Sequence, residues 1–253
     1  MRASERLNEI VKILNKQGRV HVKDLSLMFD VTEDLIRKDL KKLEEQDLID
    51  RIYGGAERKT KKFDVSNVKY RMNINKDEKE IIARKADALI NNGDVIYLDT
   101  STTTATLAEI LAKGNKELTV ITNMLEVIRI LESNNDIISI LIGGLYNRKI
   151  GGFVGQEAVE RMKDYYVDKA FISCMGADLQ DGVLVSSTKE IGLSKTAVLN
   201  QARRKILLLE TRKFQHEGMV KFYDIKDMDV IVSERSFTLV ESERLNKLKV
   251  ECL

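Results

Sequence analysis

The 253 residues contain no proline and no tryptophan, and only two cysteines and two histidines. Cys174 and Cys252 lie far apart, with no Cys-x-x-Cys and no histidine nearby, which excludes a zinc knuckle and a disulfide framework. Thiol usage of that kind fits a reducing cytosol. No run of about 18 uncharged apolar residues occurs, so no membrane span is expected. Residues Met1 to Arg6 lead straight into an amphipathic pattern without the apolar core of a secretory signal, and the expected location is cytoplasmic. The P-loop pattern GxxxxGK[ST] and the dinucleotide pattern GxGxxG are both absent, so neither nucleotide site is expected, and no cofactor or metal is implied. The lack of proline carries no functional reading.

What is present is a composition of 43% hydrophobic and 32% charged residues, that of a soluble globular protein with material for one large domain or two unequal ones. The net charge of +2 is unevenly placed: residues 1–62 carry +3 and the remainder −1. Most of the excess sits at Arg51, Arg58, Lys59, Lys61 and Lys62, opposed only by Glu57. A polyanion would therefore meet the N-terminal quarter.

That quarter reads as short helices. Leu7, Ile10, Val11 and Leu14 recur at helical spacing, with Ser4 as cap and Gly18 as stop. Val20 and Val22 flank His21 in a short alternating piece, and Val22, Leu25 and Phe29 space a second helix. After the Asp30-Val31 turn, Ile36, Leu40 and Leu43 form the apolar stripe of a third, with Asp34, Arg37, Lys38 and Lys41 roughly opposite. Thr32 can cap it, and Glu33 and Asp34 suit its positive end. Taken alone, such a face is also what an ordinary solvated helix shows. Two short helices and a tight turn make a helix-turn-helix, whose second member enters the major groove. Leu48 to Tyr53 then alternates like a strand and stops at Gly54-Gly55, a hairpin that would form a wing.

With these residues in place, positions 5–56 resemble the DNA-binding domain of the DeoR family of bacterial transcriptional regulators. The shared features are Gly18-x-Val20, Val31-Thr32, Ile36-Arg-Lys-Asp-Leu40 and Arg51-x-x-Gly-Gly-Ala56. Leu35 departs from the family's usual threonine, and Gln46-Asp47 replaces a glycine-containing turn. The resemblance implies a double-stranded DNA operator as partner. The candidate contacts are Thr32, Glu33, Asp34, Arg37, Lys38, Lys41, Arg51, Tyr53 and Gly54. Arg37 suits guanine, because its planar fork can bond O6 and N7 together, while Lys38, Lys41 and Arg51 suit phosphates.

From Glu57 to Lys76 periodicity fades, which reads as a connection. Asn75-x-x-Glu78 then has the spacing of a capping box and restarts a helix. Beyond it, apolar runs at 95–98, 118–121, 137–142, 170–173, 206–209 and 230–232 alternate with helical stretches near 102–113, 124–133, 156–163, 188–203 and 240–249. Strand-helix alternation of this kind means an α/β domain with a mostly parallel sheet, whose ligands settle at the carboxyl ends of the strands.

Three segments stand out there. Asp99-Thr-Ser-Thr-Thr-Thr104 follows a strand and opens a helix, which suits a phosphate or another anion; an ordinary hydroxyl-rich cap would look alike. Gly143 to Gly155 holds five of the 14 glycines, permitting close approach to a ligand or equally a surface hairpin. The third comprises Asp168-Lys169, Gly176-Ala-Asp178, Lys189-Glu190 and Lys213, for which structural ion pairing is the alternative. Together, over residues 75–235, they resemble the effector-sensing domain of the same DeoR family, which is similar in fold to ribose-5-phosphate isomerase. The resemblance implies a sugar-phosphate effector: Ser101, Thr102, Thr103 and Thr104 on the phosphate, Lys213 as its counter-charge, and Asp99, Asn123, Gly143, Gly144, Gly152, Gly176, Asp178 and Glu190 near the sugar. The isomerases carry an aspartate before Gly-Ala-Asp and a Lys-Gly-Gly-Gly-Gly run. This chain has Met175 and no such run, and it has Glu210 where the family commonly has aspartate.

The organisation expected is therefore an N-terminal all-α winged helix-turn-helix (1–56), a linker (57–76) and a C-terminal α/β domain with mostly parallel sheet, ribose-5-phosphate isomerase-like (77–253). The expected function is a non-enzymatic regulator, a repressor of carbohydrate genes, acting as a homodimer or homotetramer. The competing readings are a sugar-phosphate isomerase with a DNA-binding appendage, and a DNA-binding protein whose large domain only oligomerises.

Overall fold

Residues 3–45, 48–58, 67–215 and 218–253 are described by the computed structural model, and they divide into two units, Met1–Ile74 and Asn75–Leu253. The Ser4 and Arg58 side chains, the Gln46-Asp47 turn, and Lys59, Lys61 and Lys62 lie outside the described residues.

In the first unit, α1 (Ala3–Gln17), β1 (Arg19–His21), α2 (Val22–Phe29) and α3 (Glu33–Glu45) precede a hairpin of β2 (Ile49–Ile52) and β3 (Gly55–Arg58). Asp30 closes α2 in the left-handed conformation (φ 51°), a geometry that aspartate tolerates better than most residues, and the chain turns into α3. The expected stripes meet: Ile10, Leu14, Val22, Leu25, Ile36, Leu40 and Leu43 form one buried cluster. The hairpin turns on Tyr53-Gly54, where Gly54 supplies the positive φ (74°), and β1 pairs with β3 to complete a three-stranded sheet. Within the expected connection, Val68–Asn73 form a further helix, α4, capped by Asn67.

The second unit opens with α5 (Lys76–Asp87) and then follows β4 (Val95–Leu98), α6 (Thr102–Ala112), β5 (Leu118–Thr122), α7 (Leu125–Leu131) and β6 (Ile137–Leu141). A hairpin of β7 (Leu145–Asn147) and β8 (Gly152–Val154) leads to α8 (Gln156–Met162) and β9 (Val167–Ile172). Next come β10 (Gly176–Asp178), β11 (Val183–Ser186), α9 (Lys189–Leu199), β12 (Ala202–Leu209), β13 (Val220–Asp224), β14 (Val230–Ser233), α10 (Leu239–Leu248) and β15 (Glu251–Cys252).

Seven of these strands form one sheet in the order β15-β14-β12-β9-β4-β5-β6, and every pairing in it is parallel. Continuous Val/Ile/Leu runs form these strands because both faces are covered. A separate three-stranded antiparallel sheet, β10-β11-β13, has no counterpart in the expected pattern. From β4 the chain moves outward through β5 and β6, then returns to lay β9 on the other side of β4. That reversal between β4 and β9 is a topological switch point, where the loops after adjacent strands diverge and open a crevice.

One buried contact in the first unit was not expected. Arg6 of α1 forks onto Asp39 of α3 (Nε to Oδ2 2.6 Å, Nη2 to Oδ1 3.4 Å), and both are at least 95% buried. Asp39 replaces a solvated residue on the polar side of α3 with a tether to α1. Arg6→Ala should therefore destabilise the unit by about 3–5 kcal/mol, by leaving a buried carboxylate uncompensated. The double substitution Arg6→Met, Asp39→Leu should recover most of that loss. Hydrogen exchange of α3 amides in the full chain, against urea, reads both.

Candidate functional site

On α3 the structure separates the two faces as the spacing predicts. Ile36, Leu40 and Leu43 are fully buried, while Asp34, Arg37, Lys38 and Lys41 are exposed. Thr32 caps the helix: its hydroxyl accepts from Leu35 N–H at 3.4 Å. Arg37 does not extend freely into solvent. Its guanidinium donates to Asp34 Oδ1 and to Glu33 Oε2, each at 2.6 Å. Lys41 lies 4.0 Å from Glu45. Arg51 is exposed on β2, and Tyr53 with Gly54 stands at the hairpin tip. This is a helix offering cationic donors beside a projecting loop.

The second set of residues gathers at the switch point. Asp99 follows β4 and Ser173 follows β9, the two neighbouring strands that diverge there. The Asp99 carboxylate accepts from Ser173 N–H (3.1 Å) and is ion-paired with Lys195 of α9. Lys213, from the turn after β12, donates to Ser173 Oγ at 2.8 Å. Lys195 was not expected from the sequence. The signal was available: it is the one charge between Glu190 and Arg203, in a helix otherwise of small and apolar residues.

The hydroxyl loop divides its roles. Ser101 Oγ accepts from Thr104 N–H at 3.1 Å and caps α6. Thr104 Oγ1 donates back to Asp99 and Ser101 carbonyls (2.5 and 2.8 Å). Those two hydroxyls, expected on an anion, hold the loop instead. Among the described residues the N–H groups of Thr102 and Thr103 have no hydrogen-bond acceptor, and both residues are buried at the positive end of α6.

Other expected residues are engaged within the protein. Asn123 Oδ1 takes hydroxyls of Tyr97 (2.7 Å) and Thr100 (2.6 Å), and its amide donates to Phe153 carbonyl at 2.7 Å. Burial holds the Tyr97 hydroxyl well above its usual pKa, with the nearby Asp99 charge adding to the effect, so it stays a donor to Asn123. A Cβ on Gly152 would lie 2.5 Å from Thr100 Cγ2 and 2.7 Å from Asn123 carbonyl. Glycine is thus required for the β7–β8 hairpin to close on the loop after β4. Gly144 packs against Val154 and Ala158 in the same way, whereas Gly143 faces open space.

Gly176 begins β10, and Asp178, at its end, accepts from Gln180 and Asp181 N–H (2.7 and 3.0 Å), building the turn to β11. Glu190 is exposed in the first turn of α9, its carboxyl held below the usual range by its own backbone N–H and by Thr188. Lys169 is ion-paired with Asp94, and Asp168 with Arg203 (3.1 Å). Both pairs lie at the amino ends of the strands, away from the crevice.

Charge in the crevice is balanced. Burial pushes the Cys174 thiol up to about 11, although Lys213 and Lys195 pull it down, so it remains neutral. Glu210, just after β12, is also buried. Burial opposes its ionisation, but Lys213, Arg212 and hydrogen bonds from Arg212 and Asn75 outweigh that and bring its pKa to about 2.

Family models match both units: the DeoR-like helix-turn-helix domain over residues 6–62 and the DeoR C terminal sensor domain over residues 74–235. The chain belongs to the DeoR family. It is 32% identical to the HTH-type transcriptional regulator YulB of Bacillus subtilis (strain 168), over 99% of this chain and 96% of the relative. It is 30% identical to the glycerol-3-phosphate regulon repressor of Escherichia coli (strain K12), over 92% of each. Ribose 5-phosphate isomerase A of Methanocaldococcus jannaschii superposes on 55% of the chain and 54% of its own, at 20% identity and a TM-score of 0.41. No described helix is long and apolar enough to cross a membrane.

Because its folded pKa is depressed, Glu210 adds stability that is complete above its ordinary pKa of 4.5 and is lost as pH falls through about 2. A shift of that size corresponds to about 3 kcal/mol. Acid unfolding followed between those pH values should flatten in Glu210→Gln.

Proposed function

We propose that this member of the DeoR family is a repressor of genes of carbohydrate metabolism, and that a phosphorylated sugar bound at the β4/β9 crevice sets its affinity for an operator. The observation that supports the reading is the placement of Lys213 beside Ser173 and Asp99 at the switch point, next to the loop that opens α6, in a chain whose first unit matches a DeoR-like helix-turn-helix domain. A dianionic phosphate is the ligand that such a helix end and ammonium suit together. The regulatory character of relatives such as the glycerol-3-phosphate regulon repressor supports the same direction.

Thr102, Thr103 and Lys213 hold the phosphate, with Ser101 and Thr104 shaping the loop. Asp99, Gly143, Gly176 and Glu190 lie on segments bordering the sugar end, and Asn123, Gly144, Gly152 and Asp178 set the shape of its surroundings. On DNA, Arg37 reads guanine and Lys38, Lys41 and Arg51 contact phosphates, while Thr32, Glu33, Asp34, Tyr53 and Gly54 position the helix and wing. Two copies at least are required, because one small module binds DNA weakly and paired half-sites multiply its affinity. The chain acts in the cytoplasm, where operator and metabolite meet. Regulation and not turnover is the reading, since the Asp178 carboxylate is engaged in a turn and Met175 stands where an isomerase carries aspartate.

The test is a thermal melt of the full chain against ribose 5-phosphate, glucose 6-phosphate, glycerol 3-phosphate and inorganic phosphate, followed by operator binding with the best of them. A ligand of the native state at about 100 times its Kd should stabilise by about 2.7 kcal/mol, and Lys213→Ala should abolish that. No stabilisation by any of them refutes the sensor half. Separately, Arg37→Ala should cost about 1–3 kcal/mol on operator and much less on random DNA. Equal losses on both would reject Arg37 as a base reader.

A further inference from the structure

Four helices of the second unit follow an asparagine, serine or threonine. Ser101, Thr188 and Thr238 each accept an N–H from the first turn of α6, α9 and α10. Asn75, before α5, does not. It sits in the left-handed conformation (φ 49°, ψ 46°), and its amide reaches 135 positions along the chain to donate to Glu210 Oε2 at 2.7 Å. Asparagine is among the best capping residues, and Asn75-x-x-Glu78 has the spacing of a capping box, so the expected local bond has been displaced by a distant one. A cap takes extended dihedrals, whereas Asn75 occupies the left-handed region, which asparagine tolerates better than most residues. The side chain is held on Glu210, and a cap on α5 would require it to give up that bond and turn back. Asn75, Glu78 and Glu210 line a common cleft of about 260 Å³, which leaves room for the exchange.

Glu210 connects this element to the crevice. Its carboxylate accepts from Arg212 (2.9 and 3.1 Å) and lies 3.7 Å from Lys213 Nζ. Lys213 in turn donates to Ser173, whose N–H holds Asp99. A continuous polar chain therefore runs from the loop after β4 to Asn75, the first residue of the second unit. Ile74, the last residue of the first, is joined to it directly.

We infer that the Asn75–Glu210 hydrogen bond is the switch through which an anion on Lys213 changes operator affinity, an inference that rests on the effector site proposed above. An anion that takes up the charge of Lys213 leaves Glu210 with one cationic neighbour fewer. The carboxylate then draws more strongly on its remaining donors, and Asn75 stays held. Without the anion, Lys213 competes for Glu210, the hold on Asn75 weakens and the cap gains. The change of arrangement is a change of backbone torsion at Asn75, and the chain leading to the winged helix begins there. Coupling of this kind needs only that the anion favour one of two discrete states.

The experiment uses the full-length wild type, Asn75→Gly and Asn75→Asp, with whichever of ribose 5-phosphate, glucose 6-phosphate or glycerol 3-phosphate most raises the wild-type melting temperature. Glycine accepts the left-handed backbone without strain and removes only the carboxamide. Aspartate can cap α5 but is repelled by Glu210. Both variants should bind the phosphate compound within about twofold of wild type, yet their operator affinity should shift by less than about twofold where the wild type shifts by about tenfold. Amide exchange at Glu78 should quicken on adding the compound in wild type and remain unchanged in Asn75→Asp, a response that a merely structural asparagine would not give. If both variants respond to the compound as the wild type does, the switch is refuted and the effector site stands. If no compound binds the wild type, the site and the switch fall together. Should Asn75→Asp fail to fold, Asn75→Gly decides the matter alone.

Discussion

Between β4 and β9 the chain reverses the direction in which it adds strands, and the chemistry of the larger unit is arranged around that reversal. Right-handed crossovers put helices on one face while strands are added in one direction, and on the other face once the direction changes. The loops at the carboxyl ends of β4 and β9 are thereby driven apart. Asp99 stands after one and Ser173 after the other, with Lys195 delivered by α9 and Lys213 by the turn after β12. Four separate segments thus meet at a single place because the sheet changes direction there.

A desolvated crevice imposes pairing on its charges. A lone buried carboxylate or ammonium is costly, and removing one member of a buried pair costs about 3–5 kcal/mol. Asp99 and Lys195, both more than 90% buried, are therefore bound to each other as a structural requirement. Lys213 is placed differently. Its side chain is 12% exposed, it donates to the neutral Ser173 hydroxyl, and it lies 3.7 Å from the Glu210 carboxylate. A doubly charged phosphate oxygen would be a better acceptor than that hydroxyl. Of the two lysines Lys213 is the more exposed, and it is the one proposed to meet the phosphate beside the first turn of α6. Glu210, held ionised by Lys213 and Arg212, keeps a carboxylate 3.7 Å from Lys213 Nζ.

What could be read from the sequence was local. The stripe of Ile36, Leu40 and Leu43, the strands at 95–98 and 206–209, and the hairpin at Gly54-Gly55 each follow from periodicity or turn chemistry over a few residues. The functional pairings were not legible, because they span long stretches of chain: 33 residues for Arg6–Asp39, 96 for Lys195–Asp99 and 135 for Asn75–Glu210. Local rules even pointed the wrong way at Asn75, where a distant carboxylate wins over the cap. They were equally silent on the glycine-rich segment, since Gly152 answers to Thr100 and Asn123 across the fold. Asp178 shows the opposite case: its chemistry suggested a ligand, and a bond pattern two and three residues long engages it.

On α3 the same logic of competing partners applies. Arg37 is gripped by Glu33 and Asp34, so any other partner for its guanidinium must outbid two carboxylates. These pairs are at least 44% exposed on each side and screened, so each is worth about 1 kcal/mol or less. The larger consequence is repulsion. If α3 faces the groove as proposed, two carboxylates on its first turn would oppose the phosphate backbone on every sequence, while a correctly placed guanine would repay Arg37 on a few. Non-specific affinity would then fall more than specific affinity, and such a reader would bind with little to spare. An allosteric ligand typically supplies about 1–3 kcal/mol of coupling. Against a tight single module that would change little, but against a pair of weak ones it is enough to decide whether the operator is held.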